Sequence, residues 1–139
     1  MADSISMECH TARILLVDDH KGTRSLLVSL LLQENFEICG EATSGEQAIG
    51  KVLELQPDLV LLDILMPEMN GVEAASRIRR IAPQIKIILI SGYLPINVGS
   101  EAARVAGAEA YVEKSSAARD LIPTIRHVLS GETQHPHVN

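Results

Sequence analysis

Apolar positions in this chain follow two alternating patterns: short unbroken runs and longer stretches at helical spacing. The first run, Arg13-Ile14-Leu15-Leu16-Val17, stops at Asp18-Asp19. Glu37 to Ala42 is the second, and Leu59-Val60-Leu61-Leu62 the third, leading straight into Asp63. Ile85 to Ile90 is the fourth and ends at Ser91-Gly92; Glu109 to Glu113 is the fifth and is followed by Lys114. Continuous runs bounded by turn residues fit strands buried on both faces of a parallel sheet.

Helical patterns fill the gaps. From about Lys21 to Glu34, Leu26, Leu27, Leu30 and Leu31 recur at helical spacing. Ser44-Gly45-Glu46-Gln47 reads as a capping box, opening a helix that buries Ala48, Ile49, Val52 and Leu53 and cannot continue through Pro57. Asn70 caps a helix carrying Val72, Ala75 and Ile78, which stops before Pro83. The next helix, Ile96 to Ala106, is weak: it contains Val98, Gly99 and Val105, has little beyond alanine to bury, and stops at Gly107. The last helix buries Leu121, Ile122, Ile125, Val128 and Leu129 and closes at Gly131. Pro123 is expected to disturb its second turn, delaying its start or bending it.

Strands alternating with helices in this way predict an α/β domain, a doubly wound parallel sheet with right-handed crossovers. Residues 13–131 form the domain, with a loose arm at 1–12 and a polar tail at 132–139 that carries His135 and His137. No internal repeat, linker or low-complexity segment interrupts it.

Composition narrows the function. The 139 residues are 46% hydrophobic and 22% charged, an ordinary balance for a soluble domain with its own core. A net charge of -6 argues against a phosphate-tracking surface, and Phe36, Tyr93 and Tyr111 are too few for a base-stacking platform. Direct contact with nucleic acid is therefore not expected. Cys9 and Cys39 make neither a disulfide framework nor a metal cluster, and Cys39 reads as a small buried hydrophobe. The first dozen residues lack the apolar core of a signal peptide, and no apolar stretch reaches membrane-spanning length. The expected compartment is the cytoplasm.

The polar residues that end the strands converge. Asp18 and Asp19 follow strand one, Asp63 ends strand three, Ser91 strand four and Lys114 strand five, all on the carboxyl edge where open α/β sheets place their chemistry. Three carboxylates close together repel one another and call for a cation. Oxygen ligands of this kind suit Mg²⁺, and an acid cluster with a hard cation, a lysine and a hydroxyl can hold a phosphoryl group. Asp63 can also act as the nucleophile, forming an aspartyl phosphate. Taken singly these residues have plainer uses. An Asp at a strand end is more often a cap, a Ser a turn former, a Lys a solvated charge, and His20 a loop or helix-start residue. The conjunction at four strand ends carries the functional reading.

This combination resembles the receiver domain of two-component response regulators, from about Arg13 to Gly131. Asp63-Ile64-Leu65-Met66-Pro67-Glu68-Met69-Asn70-Gly71 is similar to the family's phosphoacceptor segment almost letter for letter, and Val17-Asp18-Asp19-His20 to the acidic pair of receivers attached to helix-turn-helix output domains. The resemblance implies a flavodoxin-like (βα)5 fold with strand order 2-1-3-4-5. It also implies that Asp63 accepts a phosphoryl group from a sensor histidine kinase or a phosphotransfer protein. Asp19, Asp63 and the Leu65 backbone carbonyl would ligate Mg²⁺, with Asp18 acting through water. Ser91 and Lys114 would bind the phosphoryl group, and Tyr111 matches the switch aromatic that turns inward when Ser91 moves. Leu65 and Tyr93 would flank the phosphoryl group and tune its lifetime.

Two positions depart from the family pattern. Ser115 follows the lysine where Pro is common, and Gly92 follows the hydroxyl residue where Ala is favoured. Residues 96–130 are the face expected to meet an output partner or a second copy. The alternative from another class is a phosphorylation-independent interaction module of the same fold. A cofactor-carrying flavodoxin is disfavoured because Asp18-Asp19 stand where a phosphate loop would be needed. A metal-dependent phosphatase acting on external substrates is disfavoured because no second Asp lies two residues after Asp63 to serve as acid.

Overall fold

The computed structural model describes residues 11–131. The expected arm and tail, with Cys9, His135 and His137, lie outside the described residues, apart from positions 11 and 12. Five parallel strands, β1 (Arg13–Val17), β2 (Glu37–Ala42), β3 (Leu59–Asp63), β4 (Lys86–Ser91) and β5 (Ala110–Glu113), lie in the order β2-β1-β3-β4-β5. Five α-helices connect and follow them: α1 (Lys21–Gln33), α2 (Gly45–Leu55), α3 (Gly71–Ile81), α4 (Ile96–Ala106) and α5 (Ala117–Leu129). The flavodoxin-like order expected from the resemblance is the order observed.

Strand alternation splits the core into two. Leu15, Val17, Val60, Leu62, Ile87 and Leu89 face α2, α3 and α4, whose buried contacts include Ala48, Ala74, Ala75, Ala103 and Ala106. Small side chains there let these helices lie close to the sheet. Ile14, Leu16, Leu59, Leu61, Ile88 and Ile90 face α1 and α5, which contribute the bulkier Leu27, Leu31, Leu121, Ile125 and Val128. With side chains buried on both faces, the strands need apolar residues at nearly every position, which is why they read as unbroken runs.

The helix termini follow the local chemistry. Ser44 Oγ accepts from the Gln47 N–H at 3.1 Å, as a capping box requires. Gln47 Oε1 reaches one residue further back than expected, accepting from the Thr43 N–H at 2.9 Å. Asn70 Oδ1 accepts from the Glu73 N–H at 2.9 Å, and Gly107 ends α4 in the left-handed region at φ 81°.

Several expectations need correction. Leu26 and Leu53 are 60% and 58% exposed, because the buried stripes of α1 and α2 are narrower than the leucine pattern suggested. Cys39 is only partly buried, on the edge strand β2. Pro123 does not delay the start of α5: the helix starts at Ala117 after a short 3-10 turn, Lys114–Ser116, and runs through the proline. Pro123 and Arg119 both lie on the exposed side, so water can serve the carbonyl that loses its partner. Burial of Leu121, Ile125 and Val128 on the opposite side holds the helix in place. Among the described residues, no helix is long and apolar enough to cross a membrane.

Candidate functional site

The chain reverses its winding between β1 and β3, which neighbour each other although α1, β2 and α2 separate them in sequence. The crevice outside such a switch point is where ligands of open α/β sheets bind. Asp18 and Asp19 leave β1 there and Asp63 ends β3 beside them. One carboxylate oxygen from each lies within 4.8 Å of the other two. Asp18 and Asp63 are buried and Asp19 is exposed. Lys114, on the 3-10 turn after β5, reaches over to bridge the buried pair. Its Nζ lies 2.9 Å from Asp18 Oδ2 and 3.4 Å from Asp63 Oδ2. The lysine therefore reaches the cluster with Ser115 behind it, through a trans bond, since no cis peptide bond occurs among the described residues.

Burial, followed by the neighbouring charge of Asp18, raises the pKa of Asp63 to about 6, despite the opposing pull of Lys114 and the Leu65 N–H. Burial pulls the Lys114 ammonium pKa downward, but the hydrogen bond to Asp18 and the charges of Asp63 and Asp18 outweigh it. The net shift is upward. An ionised, poorly solvated carboxylate with an ammonium on one side is an arrangement that can accept a second cation.

The cleft in front of Asp63, about 450 Å³, is lined by Asp19, His20, Leu65, Gly92, Tyr93 and Lys114, with Thr23 at its edge. The Leu65 N–H donates to Asp63 Oδ1 at 3.3 Å, so the turn after β3 folds back on its own carboxylate. Leu65 and Tyr93 are 44% and 82% exposed and stand at the mouth. Ser91 is fully buried, its Oγ accepting from the Tyr93 N–H at 3.2 Å. Gly92 leaves ordinary contact space, since a Cβ there would meet Lys114 Cδ at 3.7 Å. Tyr111 lies beyond Ser91 and is directed inward, its hydroxyl donating to the Leu94 carbonyl at 2.6 Å and the Ser91 carbonyl at 3.3 Å.

Three supporting residues escaped sequence reasoning. Arg24 donates from Nη1 to the Asp18 carbonyl at 2.8 Å and from Nε to Glu41 at 3.0 Å, bracing the acidic loop against β2. Its charge in an amphipathic helix gave no hint of those partners. Gly71, visible only as a turn residue, packs the start of α3 onto the end of β3. A Cβ there would come within 2.7 Å of Ile64 Cα and overlap the Asp63 carbonyl oxygen. Gly99 lies against the Tyr111 ring. His20 behaves as expected: it precedes α1, and its N–H donates to Asp18 Oδ1 at 2.8 Å.

A doubly wound α/β domain with three carboxylates and a lysine gathered at its switch point is the class that fold and site define. The chain belongs to the response regulator receiver domain family, which it matches over residues 14–126. It is 38% identical over 126 residues to the response regulator protein VraR of Staphylococcus aureus, covering 88% of this chain and 59% of that protein. The chain thus spans little more than half the length of that relative. A solved two-component response regulator of the LuxR family from an Aurantimonas species superposes with TM-score 0.85 at 30% identity, covering 93% of each chain. A DNA-binding response regulator of the LuxR family from Staphylococcus aureus gives TM-score 0.77 at 30% identity, over 85% of this chain and 98% of that one. This chain is a receiver domain of a signalling protein, its acidic pocket is consistent with a phosphorylation site, and the cluster could hold a metal ion.

Proposed function

We propose that Asp63 is the phosphoacceptor, taking a phosphoryl group from a histidine kinase or a phosphotransfer protein in a Mg²⁺-dependent reaction. The observation that carries this is the meeting of Asp18, Asp19, Asp63 and Lys114 from three strand ends in one open cleft. A carboxylate oxygen of Asp63 forms the new bond to phosphorus as the donor's bond to phosphorus breaks, and the bonding pair leaves with the donor. Asp19, Asp63 and the Leu65 carbonyl would hold the cation, with Asp18 acting through water. Bound there, the cation offsets the charge that gathers on the phosphoryl oxygens. Lys114 exchanges its contact with Asp63 for one with the phosphoryl group, and the Ser91 hydroxyl turns from the Tyr93 N–H to donate to it. The domain catalyses only this self-directed transfer and its own dephosphorylation.

In this reading the receiver spans 13–131, works in the cytoplasm, and passes its state to an output domain or a partner through residues 96–130. Tyr111 reports the change at Ser91. Exposed Ile96, Val98 and Val105 on α4 support that face as the one offered to a partner. The test is labelling by acetyl phosphate. With Mg²⁺ the wild-type chain should take up a hydroxylamine-sensitive phosphoryl group, chelation should abolish uptake, and Asp63→Asn should not label. Equal, hydroxylamine-resistant labelling of Asp63→Asn would overturn the assignment, and a wild-type chain that takes up no label would leave an interaction module that does not use phosphorylation.

A further inference from the structure

Glycine is the poorest ordinary helix former, so one in a helix interior needs a reason. Gly99 is the fourth residue of α4 and is buried. A Cβ built on it would fall inside the van der Waals envelope of Tyr111 Cδ2, Cε2 and Cζ. The ring edge thus occupies the space a side chain at 99 would fill. Its hydroxyl is held beyond that point by the Leu94 and Ser91 carbonyls, and the whole residue is 5% exposed. A groove of about 410 Å³ between α4 and α5 is lined by Tyr111 itself with Ile96, Arg119, Asp120 and Pro123.

We infer that Gly99 is the positioning residue that admits Tyr111 to its inward seat, so that the nature of residue 99 sets where the ring rests. The missing side chain leaves the ring room in that seat. An alanine at 99 would expel it toward the groove between α4 and α5. The consequence for signalling rests on the proposed function, because it needs Ser91 and Tyr111 to act together. The seating itself does not.

Tyr93 and Tyr111 are the two tyrosines of the chain, and there is no tryptophan. Biosynthetic 3-fluorotyrosine therefore gives two ¹⁹F signals, which Tyr93→Phe assigns. With a soluble paramagnetic agent and no phosphodonor, the Tyr93 signal should broaden, since that residue is 82% exposed, while the Tyr111 signal is protected. In Gly99→Ala, Tyr111 should lose that protection several-fold. Equal protection in both proteins, or an unprotected Tyr111 in the wild type, would overturn the inference.

A stability cycle covers the case in which Gly99→Ala folds poorly. The alanine should raise the melting temperature when residue 111 is also alanine and fail to raise it beside Tyr111. Folding of the double variant where the single one fails supports the inference. A lowered melting temperature in both backgrounds, or failure of both to fold, means Gly99 serves another contact and refutes it. Neither arm uses a phosphodonor, so a failure to label Asp63 would not be confused with a failure here.

Discussion

Asp63 is buried beside Asp18 at the end of β3, and both burial and the neighbouring charge disfavour its ionised form. Its pKa, raised from 3.8 to about 6, means that the folded protein holds this proton over a range where the unfolded chain has released it. The group therefore favours folding below about pH 4, and that advantage is lost as pH rises through about 6. At neutral pH the ionised carboxylate is a liability, faced by Asp18 and Asp19 and only partly relieved by Lys114. Asp63→Asn should thus be more stable than the wild type at neutral pH without divalent cations, by on the order of 2 kcal/mol. Urea denaturation across the pH range should show the difference shrinking toward pH 4 and on adding Mg²⁺ to the wild type. At the cleft mouth stand two bulky residues, Leu65 and Tyr93, and under the proposed function they crowd the path of an attacking water. Leu65→Asn, and Tyr93 replaced by a small polar residue, should quicken loss of the phosphoryl group several-fold, which decay of the labelled protein would measure. Unchanged decay in both variants would remove these residues from the account.

Elements explain what the sequence did and did not disclose. Strand ends were legible because a buried run followed by a charge marks both the strand and its carboxyl edge, and Asp18, Asp19, Asp63, Ser91 and Lys114 were found that way. The small side chains expected inside α4 are observed: Gly99, Ser100, Ala103 and Ala106 are its buried residues, while Ile96, Val98 and Val105 are exposed. Contacts between distant elements were not legible. Nothing local connects Arg24 to Glu41 or Gly99 to Tyr111, because each pairing exists only once separate elements have packed together. Pro123 misled because local helix rules take no account of the burial of Leu121, Ile125 and Val128 beside it. Gly71 shows how an element can set the site: α3 starts in contact with the backbone of Asp63 and Ile64. Gly71→Ala should cost about 1–3 kcal/mol from overpacking and slow labelling of Asp63 under conditions where the variant stays folded. Chemical denaturation and a labelling time course would test both halves.

Over the whole molecule, chemistry and anchorage lie at opposite ends of the sheet. At the amino ends of β4 and β5, Arg79 donates to the carbonyls of Gly107, Pro83 and Ile85 and forms a two-pronged pair with Glu109. Glu109 in turn accepts from the Ile87 N–H at 2.7 Å. This clamp ties α3 to the sheet on the side away from the carboxylates. Arg79→Ala should lower stability by about 2–4 kcal/mol, with labelling of the folded protein unchanged. A labelling defect at full folding would show that the two ends are coupled. Under the proposed function, the separation suits a domain that changes shape near α4 without loosening its frame.

One carboxylate is proposed to take the phosphoryl group, and finding where that group sits tests it. After acetyl phosphate and Mg²⁺ treatment, borohydride reduction converts an aspartyl phosphate to homoserine, which peptide mass spectrometry locates. The account predicts homoserine at position 63 alone, dependent on Mg²⁺. Homoserine at Asp18 or Asp19, or unmodified Asp63 in a protein shown to bind Mg²⁺, would contradict it.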